Sequence, residues 1–563
     1  MRLINTDTYR FEEFIGDDIP GYTILSHTWD EDEVTYQDMK DLCADANKRG
    51  CRKIQMTCQI ARNAGLEYAW VDTCCIDKSS SAELTEAINS MFYWYQRAVF
   101  CIVYLADLPV SASLDEHLPE CRWFTRGWTL QELIAPSDVR FFDTSWTFRA
   151  TKAGHLDMLG RITGIDSDVL QQSKSTVQVP VARKMSWAAR RRTTRIEDMA
   201  YCLLGIFNVN MPLLYGEGDK AFWRLQEEII KTTPDLTIFA WKRRFEQLHD
   251  YDPVDRTYCG VLARSPRDFA DCGWFSFISA SSEAEFVLTN QGIKIHVPVI
   301  LERLCGAQGQ RYVFPVCVTV LGRTLGIKLR KYGPSQFVRE DPCNLVPVDP
   351  HRRESVSRTV HFLTQGFWLD RPSQDVINNF QFYWRRRHAL KLRLPPDMRI
   401  SNVQPWSRWD DEDRVFFLPE GSACDYGMAS IRGQAPIYVK GEVVNLSFEC
   451  TFYALGWVRR DRGLQCSVIN SRHFNNAINR IRSHGIENEL TTSQIRHLLE
   501  DDEIPRTDAT FIHFPKANVN ILVSFTVRLI RDDCTYLNGF WEVDLQWQFC
   551  ADDQSPNILH QSW

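Results

Sequence analysis

Trp128 and Glu132 stand four residues apart in the string Arg126-Gly127-Trp128-Thr129-Leu130-Gln131-Glu132-Leu133. On a helix, positions i and i+4 share a face, so the spacing predicts an indole beside a carboxylate. An aromatic wall desolvates a carboxylate and shifts its pKa, which suits it to acid–base work or to stabilising a developing positive charge. The competing reading is structural, with Glu132 paired to Arg126 or Arg122. Further polar groups follow short apolar runs. Ser26, His27, Trp29 and Asp30 come after one, and Asp77 and Lys78 come after another. Placed at strand ends, these residues would line one crevice with Glu132 and Trp128. The bland alternatives are a histidine that bonds a neighbouring loop and, for Asp72 and Asp77, carboxylates that cap turns.

The elements that must position these groups alternate strand and helix signals. Tyr22–Ser26 reads as a short buried strand, 53–64 as a helix, and Tyr68–Asp72 as a second strand. A polar turn at Asp77–Ser81 leads into a helix from Ala82 to about Tyr95. A strand at Val99–Leu105, the Trp128–Leu133 helix and a strand at Val139–Phe142 follow. Short apolar strands separated by helices predict a parallel sheet flanked by helices, with its ligand crevice beyond the carboxyl ends of the strands. From about Val181 to Thr233 the pattern turns helical. Thr194-Arg195-Ile196-Glu197 has the spacing of a capping box, opening a helix through Met199, Leu203, Leu204 and Ile206. A second helix follows Gly216-Glu217-Gly218, which lacks the third glycine of a dinucleotide fingerprint. The remainder alternates with period two. Val519 to Leu529 and Trp541 to Phe549 predict a hairpin through Asn538-Gly539, and Ile293 to Val299 repeats the pattern. The expected fold class is an α/β N-terminal domain over 1–150, a helical extension over 151–245, and a β-rich, sandwich-like region over 246–563 as one or two units.

A chain of 563 residues exceeds one hydrophobic core, and 44% hydrophobic with 24% charged residues is globular composition. A net charge of −7, with Lys and Arg dispersed, argues against nucleic acid as the main partner. Arg190-Arg191-Arg192 and Arg385-Arg386-Arg387 read as solvated faces or carboxylate partners. The polar start Met1–Asp7 is no secretory signal, and no apolar run has membrane-spanning length, so a cytoplasmic protein with no membrane span is expected. The 18 cysteines are scattered without a C-x-x-C pair and read as buried free thiols. Cys74 and Cys75, as strand neighbours, would face opposite ways and hold no metal; no metal site and no cofactor are expected.

Longer strings carry a resemblance. Leu25-Ser26-His27-Thr28-Trp29, Ala69-Trp70-Val71-Asp72-Thr73-Cys74-Cys75-Ile76-Asp77-Lys78 and Gly127-Trp128-Thr129-Leu130-Gln131-Glu132-Leu133-Ile134-Ala135-Pro136 resemble the fungal heterokaryon-incompatibility (HET) domain family. The likeness continues through Ala188–Asp198 and Tyr215-Gly216-Glu217-Gly218, over roughly the first 240 residues. It implies a protein that triggers cell death when unlike hyphae fuse, with self-association and a protein from an incompatible strain as partners. The family is in turn similar to TIR domains, some of which cleave NAD. That likeness implies NAD as substrate, Glu132 as the catalytic carboxylate, and a pocket of Ser26, His27, Trp29, Asp30, Asp77, Lys78 and Trp128. The turn Ser79–Ser81 lacks the glycine common in NAD-cleaving TIR domains, and the segment between the first two strands is longer than usual. Two function classes stand at this point, an NAD-hydrolysing effector and a non-catalytic assembly module. With no P-loop in the sequence, activation falls to a partner or to the β-rich tail.

Overall fold

The computed structural model describes residues 1–16, 18–40, 48–244, 258–278, 285–297, 302–304, 311–333, 336–348, 358–362, 389–404, 409–410, 414–417, 426–439, 442–455, 465–471, 509–514, 519–531 and 539–550. The chain divides into two compact units, Met1–Arg330 with Phe337–Asp370, and Lys331–Gln336 with Arg371–Trp563.

The first unit opens with a seven-stranded sheet: β1 (Arg2–Asn5), β2 (Phe11–Glu13), β3 (Tyr22–His27), β4 (Tyr68–Trp70), β5 (Phe100–Tyr104), β6 (Val139–Phe142) and β7 (Phe148–Thr151). Their order is β2-β1-β4-β3-β5-β6-β7. The inner four are parallel, while β1 and β7 run antiparallel to β4 and β6. All six residues of β3 are buried, as a central parallel strand requires. Helix Arg49–Asn63 buries Ile54, Thr57, Cys58 and Ala61. Helix Ser81–Arg97 starts at Ser80, whose hydroxyl accepts the Glu83 N–H at 3.3 Å.

Three local expectations change. Strand β4 stops at Trp70, and Asp72–Cys75 is one helical turn, so Cys74 and Cys75 are not strand neighbours. Both thiols are buried, and no group of three metal-ligating side chains occurs among the described residues. Helix Thr129–Ile134 has all six residues buried, and Arg122 pairs with Asp30 at 3.8 Å and Asp107 at 3.5 Å in place of Glu132, while Arg126 acts on Glu132 only through its charge. The expected capping box does not form. Glu197 instead accepts the N–H of Gly216 at 2.8 Å and of Gly218 at 3.1 Å, and the helical stretch breaks into Asp198–Tyr201 and Leu204–Phe207. The following helix, Lys220–Thr232, buries Ala221, Phe222, Leu225, Ile229 and Ile230, the apolar set its spacing predicts.

The helical region and a ten-stranded sheet share the first unit's apolar core, which runs from Leu3 to Phe362. The sequence-based boundaries at 150 and 245 fall inside this unit. Arg339 ties its parts together: fully buried, it donates to the carbonyls of Phe239 at 3.2 Å and Trp241 at 2.5 Å, with its guanidinium 3.8 Å from the Trp241 ring.

The second unit holds a six-stranded and a four-stranded sheet that contribute to one core around Leu390, Ile431, Phe452, Val523 and Val543. Val519–Arg531 pairs antiparallel with Gly539–Cys550 from Asn520 opposite Cys550 to Arg531 opposite Gly539. Residues 532–538, including Asn538 of the expected tight turn, lie outside the described residues. Among the described residues no helix is long and apolar enough to cross a membrane.

Candidate functional site

Strand β3 ends in Ser26-His27, and because successive strand residues point to opposite faces, the two enter different surroundings. The Ser26 hydroxyl donates to Glu132 Oε2 and accepts the indole N–H of Trp123 at 2.7 Å. The Tyr95 hydroxyl donates to the carbonyl of Leu25 at 3.0 Å and also bonds the Glu132 side chain. Glu132 is 7% exposed. Burial pushes its carboxyl up to about 8, and the charge of Asp72 adds to this; the Ser26 bond, Arg126 and Arg191 pull the other way. At neutral pH Glu132 is therefore mainly a neutral acid held by hydroxyls. It can release a proton, and it can bear charge when a cation approaches.

His27 enters an ionic cluster. Its Nε2 lies 3.1 Å from Asp72 Oδ1, and its Nδ1 lies 3.1 Å from Lys53 Nζ and 3.6 Å from Glu33 Oε1. Lys53 donates to the Thr28 carbonyl at 3.2 Å, to Asp30 Oδ2 at 3.0 Å and to Glu33. Burial raises the Asp72 carboxyl, but His27, Lys78 and the Trp29 N–H outweigh it and hold the group below its ordinary value. Asp30 behaves alike: burial raises it, while Lys53 and Arg122 bring it down overall. The Trp29 indole donates to Asp72 Oδ2 at 2.9 Å, and Lys78 Nζ sits 3.6 Å from the centre of the Trp29 ring. Burial lowers the Lys78 ammonium. Trp29 remains 42% exposed, an aromatic ledge at the rim of the cluster.

The expected residues thus sort into four places. Ser26 and Glu132 meet, and His27, Trp29, Asp30 and Lys78 share the ionic cluster. Asp77 and Trp128 go elsewhere. Asp77 caps its own turn, accepting the Ser79 N–H at 3.0 Å and its hydroxyl at 2.5 Å. The Trp128 indole bonds Asp198. The aromatic group tied to Glu132 through Ser26 is Trp123, a buried residue that the sequence does not mark as part of the site. Lys53, Glu33, Asp72 and Tyr95 were also missed as site residues. For Lys53 a signal existed, because it stands four and eight residues before Thr57 and Ala61 on the buried helix face.

The helical region holds the entry to the Glu132 helix. Arg191 Nη1 donates to the Arg126 carbonyl and the Thr129 hydroxyl, each at 2.8 Å. Gly127 N–H donates to Arg192 O at 2.9 Å, and Arg192 N–H to Thr125 O at 2.7 Å. A Cβ at Gly127 would lie 2.5 Å from the Thr193 methyl, so this approach requires glycine.

Comparison with known proteins bears on the same region. Residues 22–115 match the family model described as heterokaryon incompatibility protein (HET), and residues 220–312 match a domain of unknown function (DUF8212). The chain is similar to the vegetative incompatibility protein HET-E-1 of Podospora anserina, 45% identical over 257 residues. That segment is 44% of this chain and 19% of the relative, so the chain spans about a fifth of the length of the protein it matches. No solved structure matches.

Proposed function

From a chain whose residues 22–115 match the HET family model, we propose a vegetative-incompatibility protein: an effector of self/non-self recognition in which a TIR-like α/β domain hydrolyses NAD at Glu132. The observation that carries the enzymatic part is the buried Glu132 carboxyl, pushed up to about 8 and held by the Ser26 hydroxyl at the tip of a central parallel strand. Cleavage breaks the bond between ribose C1′ and the nicotinamide nitrogen. The bonding pair leaves with nicotinamide and neutralises its ring; C1′ becomes oxocarbenium-like and takes up water, which loses a proton. A cationic nicotinamide ring beside Glu132 favours its carboxylate, which then faces the charge at C1′ and receives the proton from water. In this reading the Trp29 ledge and Lys78 flank the entrance, with Asp30 and His27 behind them. NAD is substrate and no cofactor is required. The C-terminal sheets, read as a sandwich, and partners that include a second copy of the chain and a protein from an incompatible strain would control the activity in the cytoplasm.

The test is nicotinamide release from NAD by the purified full chain, free and artificially clustered, against Glu132→Gln. Release by the wild type that falls at least about a hundredfold in the variant supports the reading. An inert wild type in both states overturns it. A second reading, a non-catalytic assembly module, is favoured by the burial of Glu132 and by its bond to Ser26 of the chain itself. In that case clustering occurs without nicotinamide release, and Glu132→Gln behaves as wild type.

A further inference from the structure

The sequence reading assigned Arg190-Arg191-Arg192 to solvent or to carboxylate partners. In the structure these three residues line a cavity of about 290 Å³ together with Ala189, Arg244, Arg267 and Ala270. Five arginines therefore line one hollow. The carboxylate bound to this group is Asp271, 3.0 Å from Arg244, and it also serves Lys242 at 3.4 Å. Among the described residues Arg190, Arg192 and Arg267 have no carboxylate within ion-pair distance.

Arg191 supplies an independent observation. It is 2% exposed, its Nη1 and Nε are taken by carbonyls and the Thr129 hydroxyl, and its Nη2 is buried with no hydrogen-bond partner. A buried guanidinium nitrogen without an acceptor is costly, and this one is closed to solvent, so Arg190, Arg192 and Arg267 are the exposed lining residues open to an anion. Burial draws this group down to about 10. Planar forks of N–H donors match phosphate oxygens two at a time, and arginine is the residue best suited to that recognition.

We infer that this cavity is a binding site for a small phosphate-class polyanion, of the size of pyrophosphate or the diphosphate end of a nucleotide. The volume lies at the lower limit of ligand pockets, which suits such a group rather than a whole dinucleotide. The site also has a mechanical link. Arg192 pairs through its backbone with Thr125 and Gly127, and Arg191 bonds Thr129, the first residue of the helix that carries Glu132. An anion held by the arginines fixes the segment that positions this helix. The inference does not depend on NAD cleavage.

Calorimetric titration of the full chain with inorganic pyrophosphate and, separately, with ADP at low ionic strength tests it. Binding of either is expected, and Arg190→Ala/Arg267→Ala is expected to weaken it about tenfold or more, since each lost arginine removes a charge-assisted bond. Both side chains are exposed, so the variant should keep the wild-type melting temperature without ligand. Arg10→Ala/Arg161→Ala removes the same charge at exposed positions outside the cavity lining and should bind as wild type. Tighter binding of ADP than of pyrophosphate marks a nucleotide site; equal or weaker binding marks a free-anion site. Absence of binding by both probes overturns the inference, as does equal weakening in the two double variants. Glu132→Gln should bind as wild type, so failure of the NAD reading leaves this result standing.

Discussion

At the scale of single residues, the Glu132 carboxyl makes the sharpest claim. The folded chain keeps a proton there that the unfolded chain loses, between the ordinary value of 4.5 and about 8. Its contribution to stability is complete below the lower value and disappears as pH rises through the upper one. Glu132→Gln keeps the shape and removes the titration. The variant should therefore gain on the wild type as pH is raised from 5 to 8, by up to about 1.4 kcal/mol per pH unit. Urea unfolding of both proteins across that range checks this, and parallel stability curves would refute it. Ser26→Ala is expected to cost about 1–3 kcal/mol, because it leaves the Trp123 N–H and a Glu132 oxygen unpaired in the interior. It should also push Glu132 still higher, by removing a bond that favours the charged form. The sequence identified Glu132 and Ser26 but misplaced the indole. Four-residue spacing puts two residues on one face where both lie within a helix. Here Trp128 lies just before a short, wholly buried helix, and it turns to Asp198. The pairing of Ser26 with Trp123 spans 97 residues, and no local pattern encodes such a contact.

At the scale of elements, the Glu132 helix is gripped at both ends. Its start is met by Arg191 and by the Gly127–Arg192 pairing. At its end Lys152 donates to the carbonyls of Leu133 and Pro136, placing a cation where a helix C-terminus favours one. Lys152→Met keeps the apolar stem and strands those carbonyls. A loss of about 1–3 kcal/mol is expected in chemical denaturation, and an unchanged midpoint would argue against the clamp. Gly127→Ala places a methyl 2.5 Å from the Thr193 side chain, so it should separate the Arg192 segment from the helix entry. Faster amide exchange at Gly127 and Arg192, whose N–H groups form that pairing, is the measurement. The parallel strands and the Lys220–Thr232 helix were legible, because apolar runs and 3.6-residue periodicity report burial directly. The capping box was misread for a physical reason. Its glutamate finds better donors in the amides of Gly216 and Gly218, 19 and 21 residues away, and a local motif yields to a tertiary one.

For the whole molecule, the two apolar cores have no residue in common, one running from Leu3 to Phe362 and the other gathered around Leu390 to Leu545. Scanning calorimetry of the full chain should accordingly resolve two transitions, and a chain ending at Asp370 should retain one of them. A single two-state transition for the full chain would contradict the division. The sequence showed that the C-terminal half is β-rich; the breaks it sets at 150 and 245 follow changes in periodicity and lie within the first compact unit. Burial across the sheet, the helices and the ten-stranded sheet is shared by residues such as Arg339, whose partners lie 98 and 100 positions earlier. A last consequence concerns how copies of this chain can meet. The seven-stranded sheet finishes on one side in β2, three residues long with Glu12 and Glu13 both exposed, and on the other in the four-residue β7. Brief edges, one of them acidic and the other carrying Arg149, resist the main-chain ladder of a neighbour. A filament built by continuing the sheet from molecule to molecule is thereby disfavoured, and any stacking of this domain has to run through its flanking helices and loops.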